Sequence, residues 1–151
     1  MSLILVLHML SAVIWVGGMF FAYLALRPAA DAVLEPQVKL RLWAAVFARF
    51  FPWIWLTVVV LLVTGVWAVF GVMGGVAAAG AAVHVMMGLG GLMILIFLHV
   101  YFAPFRRLRQ AVAASDWELA AGKANQIRIL IAVNLVLGLI VVCVAAAGRY
   151  H

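Results

Sequence analysis

Four long apolar segments alternate with short stretches that carry nearly all of the charged residues. The apolar segments cover approximately Leu3–Leu26, Phe51–Phe70, Ala78–Phe102 and Ile127–Ala147. Each has the length of about 20 residues that an α-helix needs to cross the hydrocarbon core of a bilayer. The pattern therefore predicts an all-α integral membrane protein. We expect an up-down bundle of four transmembrane helices that forms a single domain over residues 1–151.

Positive charge is distributed unevenly between the predicted connections. The second connection, around residues 71–80, has no charged residue, whereas the first and third connections, together with the first turn of the fourth apolar segment, hold nine of the ten Lys and Arg residues. These nine are Arg27, Lys39, Arg41, Arg49, Arg106, Arg107, Arg109, Lys123 and Arg128. By the positive-inside rule, the first and third connections are cytoplasmic and both termini lie outside. We therefore expect a multi-pass protein of a bacterial-type inner membrane.

Two of the four helices are expected to extend into the cytoplasm. Ser115 and Glu118 have capping-box spacing, in which the Ser115 oxygen accepts from first-turn amides and Glu118 reaches back. Helix four is therefore predicted to begin near Asp116, before it enters the membrane. Apolar residues opposite Lys39 and Arg49 predict an amphipathic approach to helix two. They are Leu42, Trp43, Val46, Phe47 and Phe50.

Composition excludes a water-soluble domain. Of the 151 residues, 70% are hydrophobic and 9% are charged, and the mean hydropathy is +1.30. The net charge of +6 lies beside the apolar segments. That placement is typical of loops that face anionic lipid headgroups rather than of a nucleic-acid-binding surface.

Histidine is the main chemical resource of the spans, which contain no Asp, Glu or Lys. His8 lies 19 residues before Arg27, and His84 lies 22 residues before Arg106. Helices one and three run in the same direction, so the two histidines differ in height by only about 4–5 Å. Two imidazoles at one height in a four-helix bundle suit the axial positions of a haem iron. The pattern predicts a non-covalent b-type haem near the periplasmic face, in electron transfer or a small redox reaction.

Several other residues are expected to serve this haem. Ser11, Gly88 and Gly91 would leave room for the porphyrin beside the histidines. Arg149 would pair with the propionates or, alternatively, only extend its charged end to the membrane surface. His99 lies about 22 Å further along helix three and is a candidate for a second site, although a structural role is the simpler expectation. The expected partners are the lipid bilayer and a quinone or periplasmic redox protein, and the Gly/Ala-rich faces also suit a homodimer.

Copper is the alternative occupant of this end of the bundle. Methionines cluster there with the two histidines, and thioether and imidazole groups together suit Cu(I). The methionines are Met1, Met9, Met73, Met86 and Met87. This interpretation predicts a copper-uptake or copper-handling membrane protein. A third interpretation is a non-catalytic membrane subunit whose histidines are structural.

Short motifs resemble two related families of membrane proteins. The segment LHMLSAVIWVGG, residues 7–18, resembles the opening helix of CopD-type copper-resistance membrane domains. The spacing from His8 to Trp15 and Gly18 is also similar to the first helix of HemJ-type protoporphyrinogen oxidases. His84, His99 and the Arg-Ile-Leu triplet at residues 128–130 extend the resemblance over most of the chain.

The resemblance implies a compact helical membrane domain. On its copper side it implies copper transport or copper handling, and on its haem side it implies His8 and His84 as ligands. The HemJ-type pattern would also place a lysine shortly after the histidine of helix three, where Met86 stands, and an Asn-Glu pair where Ile131 and Ala132 stand.

Overall fold

The computed structural model describes residues 2–148, and these residues form four long helices. The helices are α1 (Leu3–Val33), α2 (Pro36–Val72), α3 (Ala81–Ala113) and α4 (Trp117–Ala147). Each is long and apolar enough to cross a membrane, and residues 2–148 contain no β-strand. The predicted all-α class with four membrane-spanning helices is confirmed.

All four helices are longer than a bilayer requires. They contain 31 to 37 residues, which corresponds to about 46–56 Å at 1.5 Å per residue, against a hydrocarbon core of about 30 Å. The predicted extensions of helices two and four are present. However, α1 also continues past Leu26, the predicted end of the first span, and α3 continues past Phe102, the predicted end of the third. All four helices are therefore extended, whereas the sequence predicted this for only two.

Wide helical turns carry α1 and α3 past proline residues. A π-helical turn at Ala22–Leu26 precedes Pro28 in α1, and a second one at Tyr101–Phe105 contains Pro104 in α3. Proline has no N–H group and normally favours a helix end. Local π geometry satisfies the backbone groups that the proline leaves free, so the helix continues.

The connection from α3 to α4 corrects one predicted detail. Helix α4 begins near Asp116 as expected, but Asp116 itself caps it, with Oδ1 accepting from the Leu119 amide at 3.2 Å. Ser115, the predicted cap, lies one residue too early and has a left-handed backbone with φ of 55°. The prediction that Ser115 caps the helix was therefore wrong by one position.

The bundle has two chemically different ends. The α1–α2 and α3–α4 connections lie at one end with nine of the basic residues, and we call it the basic end. The α2–α3 connection, residues 73–80, lies at the other and carries no charge; we call it the neutral end. This connection turns through Gly74 and Gly75, whose φ angles of 82° and 112° favour glycine.

The helices pack in two pairs. Helix α1 lies against α2, and α3 lies against α4, which also touches α1 and α2. Between α1 and α3, the Trp15 and Phe97 rings meet edge to face at 6.2 Å. Phe51 occupies the centre of an aromatic cluster, with ring centroids 5.2 Å from Phe47 and 4.8 Å from Phe105.

Most of the apolar surface remains uncovered by protein. Large hydrophobic side chains are exposed along all four helices, among them Leu3, Val63, Leu95 and Val136. Such a surface is unfavourable in water and is the normal exterior of a helix in lipid. Contact with the lipid bilayer therefore follows from the fold.

Helix α4 approaches α1 and α3 closely at Gly138. A Cβ atom at this position would lie 2.8 Å from Cγ2 of Val16 and 3.2 Å from Cε of Met93. At Gly90 of α3, by contrast, a Cβ atom would have no neighbour within 4 Å.

We expect Gly138→Ala to lower the free energy of unfolding by about 1–3 kcal/mol, because the added methyl group overpacks a three-helix contact. Gly90→Ala is the matched control. It should keep or slightly raise the stability, since alanine forms helices better than glycine. Unfolding of the detergent-solubilised protein by SDS, followed by circular dichroism, measures both. Equal stability of the two variants would contradict the packing described at Gly138.

Candidate metal-binding site

His8 lies on the side of α1 that faces α2, near the neutral end. Its Nδ1 atom is 2.7 Å from the Thr64 hydroxyl oxygen, and Thr64 is buried. The neighbouring Gly65 has no side chain, and a Cβ atom there would lie 3.6 Å from Cε1 of His8. The imidazole therefore packs directly on the backbone of α2.

The hydrogen bonds of Thr64 favour one tautomer of His8. The Thr64 hydroxyl has a single hydrogen, and the carbonyl oxygen of Val60 at 2.6 Å is a closer acceptor for it than that of Leu61 at 3.3 Å. With that hydrogen donated to Val60, the hydroxyl oxygen accepts from Nδ1–H of His8. Nε2 of His8 consequently bears the lone pair, which is the form of histidine that binds metals.

His84 has the same tautomer but a different surrounding. Its Nδ1 is 3.1 Å from the carbonyl oxygen of Gly80, so Nδ1–H donates and Nε2 is again the basic nitrogen. The His84 side chain, however, is exposed, whereas Met93 on the same helix is buried. Nine residues correspond to about two and a half turns of helix, so His84 and Met93 lie on opposite sides of α3. The structure therefore does not turn His84 towards His8.

Contacts at Gly138 allow heights on α1 and α3 to be compared, since Val16 and Met93 both meet there. His8 lies eight residues before Val16, or about 12 Å nearer the neutral end, and His84 lies nine residues before Met93, or about 13.5 Å. The two histidines thus have similar heights. They differ in the side of the bundle that they face.

Met86 lies on α3 at a height similar to that of His8, and it lies on the side of α3 that faces the bundle interior. It lies seven residues before Met93, about 10.5 Å along the helix and about 20° round it, and it is half-buried. Met93 and Met19 continue the series towards the basic end, with exposed fractions of 4% and 3%. Met19 shares the inward side of α1 with His8, because eleven residues correspond closely to three turns.

The other predicted site residues are distributed differently. Ser11 is buried, one turn from His8 on the same side of α1. Gly88 and Gly91 lie on exposed positions of α3 with open space where a Cβ atom would stand. His99 is exposed. The expected role of Arg149 lies outside the described residues.

Asn134 is a polar residue of the bundle interior that the site prediction missed. Its Nδ2 donates to the carbonyl oxygen of Met93 at 3.3 Å, and its buried Oδ1 has no hydrogen-bond partner within residues 2–148. With Trp15 and Met19, Asn134 lines a partly open cavity of about 310 Å³ between the helices, which we call the interior cavity. The sequence does contain a signal for it, because Asn134 is the single amide side chain in the last apolar segment.

These donors fit a soft cation better than a hard one. Among residues 2–148, no three His, Cys, Asp or Glu side chains converge into a metal-binding group. A metal ion inside the bundle would therefore rely on methionine sulfur together with one imidazole. Thioether and imidazole ligands select Cu(I), whereas Mg²⁺ and Ca²⁺ require several oxygen ligands.

The fold defines a polytopic helical membrane protein with buried methionine side chains in its interior. Residues 44–147 match the CopD family, copper resistance protein D. The match covers more than half of the chain, and the chain belongs to this family. A search of the curated proteins and a search of the solved structures found no significant match.

The family match confirms one of the two resemblances read from the sequence. The likeness to CopD-type membrane domains is confirmed, whereas the likeness to HemJ-type proteins has no such support. The match begins within α2, so α1 with His8 lies outside it. The part played by His8 must therefore be argued from its own contacts.

We expect ¹⁵N NMR of histidine-labelled protein to find His8 protonated at Nδ1. In Thr64→Val the hydrogen-bond acceptor is lost without a change in side-chain shape, and the preference for the Nδ1–H tautomer should disappear. Thr57→Val is the control, since the Thr57 hydroxyl donates only to the carbonyl oxygen of Ile54. A His8 signal that is unchanged in Thr64→Val would contradict the assignment.

Proposed function

We propose that the protein handles copper within the membrane, taking up Cu(I) at the neutral end and passing it along interior side chains. The observation that carries the proposal is the series of soft donors on the inward sides of α1 and α3, in a chain of the copper-resistance family. The series is His8, Met86, Met93 and Met19.

The first step of this account is capture at the neutral end. Thr64 orients His8 and leaves Nε2 free, and Met86 lies on the inward side of α3 at a similar height. A hydrogen bond to the far nitrogen of a histidine ligand fixes the ring and raises its basicity. Thr64 is thus the positioning residue for His8.

The second step is passage through the bundle. A cation in lipid is costly unless ligands surround it, and the neutral sulfurs of Met93 and Met19 supply ligands without adding charge. The uncompensated Oδ1 of Asn134 adds a partial negative charge beside the cavity that Met19 lines. A path of weak, successive ligands allows a cation to leave each site as well as enter it.

The charge distribution supports the proposed direction of transport. By the positive-inside rule the basic end is cytoplasmic and the neutral end faces the outside of a bacterial-type inner membrane. Copper captured at His8 would then move inward, so the proposed activity is copper uptake.

A b-type haem held by His8 and His84 is the second candidate. The similar heights of the two imidazoles favour it, as do their Nδ1 hydrogen bonds, which leave Nε2 as the nitrogen with the lone pair. Against it, the exposed His84 faces away from the interior, and the family match supports copper. We therefore rank the haem, with its quinone or periplasmic redox partner, below copper handling.

We expect His8→Gln to reduce Cu(I) uptake into proteoliposomes at least about tenfold, which is the usual scale for loss of a metal ligand or its support. Met86→Leu should also lower uptake, because leucine keeps the volume of methionine but has no sulfur. A Cu(I)-specific chelating dye enclosed in the vesicles measures the rate.

Met87→Leu provides the comparison with Met86→Leu. Met87 adjoins Met86 in the sequence but is exposed on α3, so this variant should transport at the wild-type rate. A loss in Met87→Leu without a loss in Met86→Leu would contradict the interior path. A coloured protein whose Soret band disappears in both His8→Ala and His84→Ala would instead establish the haem.

A further inference from the structure

A second cavity lies at the basic end, between α1, the start of α2 and the start of α4. Its volume is about 340 Å³. The charged residues in its wall are Arg27, Asp31, Lys39 and Arg128, and Asn125 adds an amide. This cavity, which we call the basic pocket, is separate from the donors proposed for copper.

The charges of the basic pocket do not balance. Asp31 is its single acid, and it pairs with Lys39 at 2.9 Å and more distantly with Arg27 at 4.0 Å. The Arg27 guanidinium also lies over the Tyr23 ring, 5.2 Å from its centroid. Three cations and one anion leave a net charge of +2.

Arg128 is the cation that this arrangement leaves without a counter-ion. No carboxylate within residues 2–148 forms an ion pair with it, although it is half-buried at the start of the apolar part of α4. Its neighbour Ile127 is fully buried, which anchors this turn of α4 in the bundle. A half-buried guanidinium facing a cavity is stabilised by an anion that enters the cavity.

The remaining wall of the basic pocket is apolar. Ala22, Phe47 and Ile131 line the pocket and also line the interior cavity of about 310 Å³. The two cavities therefore lie side by side, one charged and one almost wholly apolar. Trp43 and Tyr23, residue types that favour the membrane interface, complete the wall of the pocket.

We propose that the basic pocket binds the phosphate group of an anionic amphiphile. The phosphate lies between Arg27, Lys39 and Arg128, and the hydrocarbon chain follows the apolar wall at Phe47 and Ile131. Guanidinium groups bind phosphate through paired hydrogen bonds, and basic pockets between transmembrane helices bind anionic headgroups. The apolar wall favours a lipid over a free phosphate ion, which would leave that surface uncovered.

Native mass spectrometry of the detergent-purified protein, titrated with phosphatidylglycerol, tests the proposal. We expect Arg128→Gln to weaken lipid binding about tenfold, the usual effect of losing a charge-assisted hydrogen bond. Arg106→Gln removes the same charge from an exposed position outside the pocket and should bind like the wild type. Phosphatidylcholine, whose headgroup has no net charge, should bind the wild-type protein more weakly.

A second variant keeps the test decisive if Arg128→Gln folds poorly. Asn125→Asp adds a negative charge to an exposed residue of the pocket wall without changing its shape, and it should also weaken phosphatidylglycerol binding. Equal losses in Arg106→Gln and the pocket variants would overturn the proposal in favour of general surface attraction. Calorimetry with inorganic phosphate distinguishes a lipid from a free phosphate ion. If inorganic phosphate bound as tightly as phosphatidylglycerol, the assignment to an amphiphile would be overturned.

Discussion

Lipid is the solvent of this protein, and lipid removes the force that folds most chains. Apolar side chains gain little by leaving hydrocarbon for one another, so the helices must be held by close packing and by polar groups that find partners. The structure uses both. The rings around Phe51 interlock edge to face, Gly138 lets α4 approach Val16 and Met93, and Asn134 joins α4 to the backbone of α3. The Thr64–His8 contact joins α2 to α1 in the same way.

The same constraint separates two kinds of chemistry along the bundle. Among residues 2–148, the charged side chains lie towards the basic end, and there they leave an excess of positive charge around a pocket. Polar groups in the interior are neutral and few, so the hydrogen bonds of each one strongly influence its neighbours. The hydroxyl of Thr64, for example, donates to the carbonyl oxygen of Val60 and thereby favours the Nδ1–H tautomer of His8. Under the two proposals, soft and uncharged donors bind a cation in the interior, and guanidinium groups bind an anion at the basic end.

The number and type of helices could be predicted because both depend on the length and polarity of segments. Heights could be compared by counting residues from the basic ends, which is why His8 and His84 were paired. The sequence could not predict which residues of α3 face the bundle interior. This helix is apolar on all sides, so its pattern does not distinguish the packed side from the lipid-facing side. Met86 and His84 are two residues apart, and those two residues turn the helix by about 200°. Only the packing of Met93 and Phe97 reveals that Met86 faces inward.

Copper handling by interior side chains is the central claim, and the ligands of the bound ion test it most directly. X-ray absorption at the copper edge, on protein loaded with Cu(I) in the absence of oxygen, identifies the atoms around the metal. We expect one imidazole nitrogen together with sulfur around the copper ion, and loss of the imidazole contribution in His8→Gln. A copper ion bound by oxygen and nitrogen alone, or one whose surroundings are the same in His8→Gln, would contradict it.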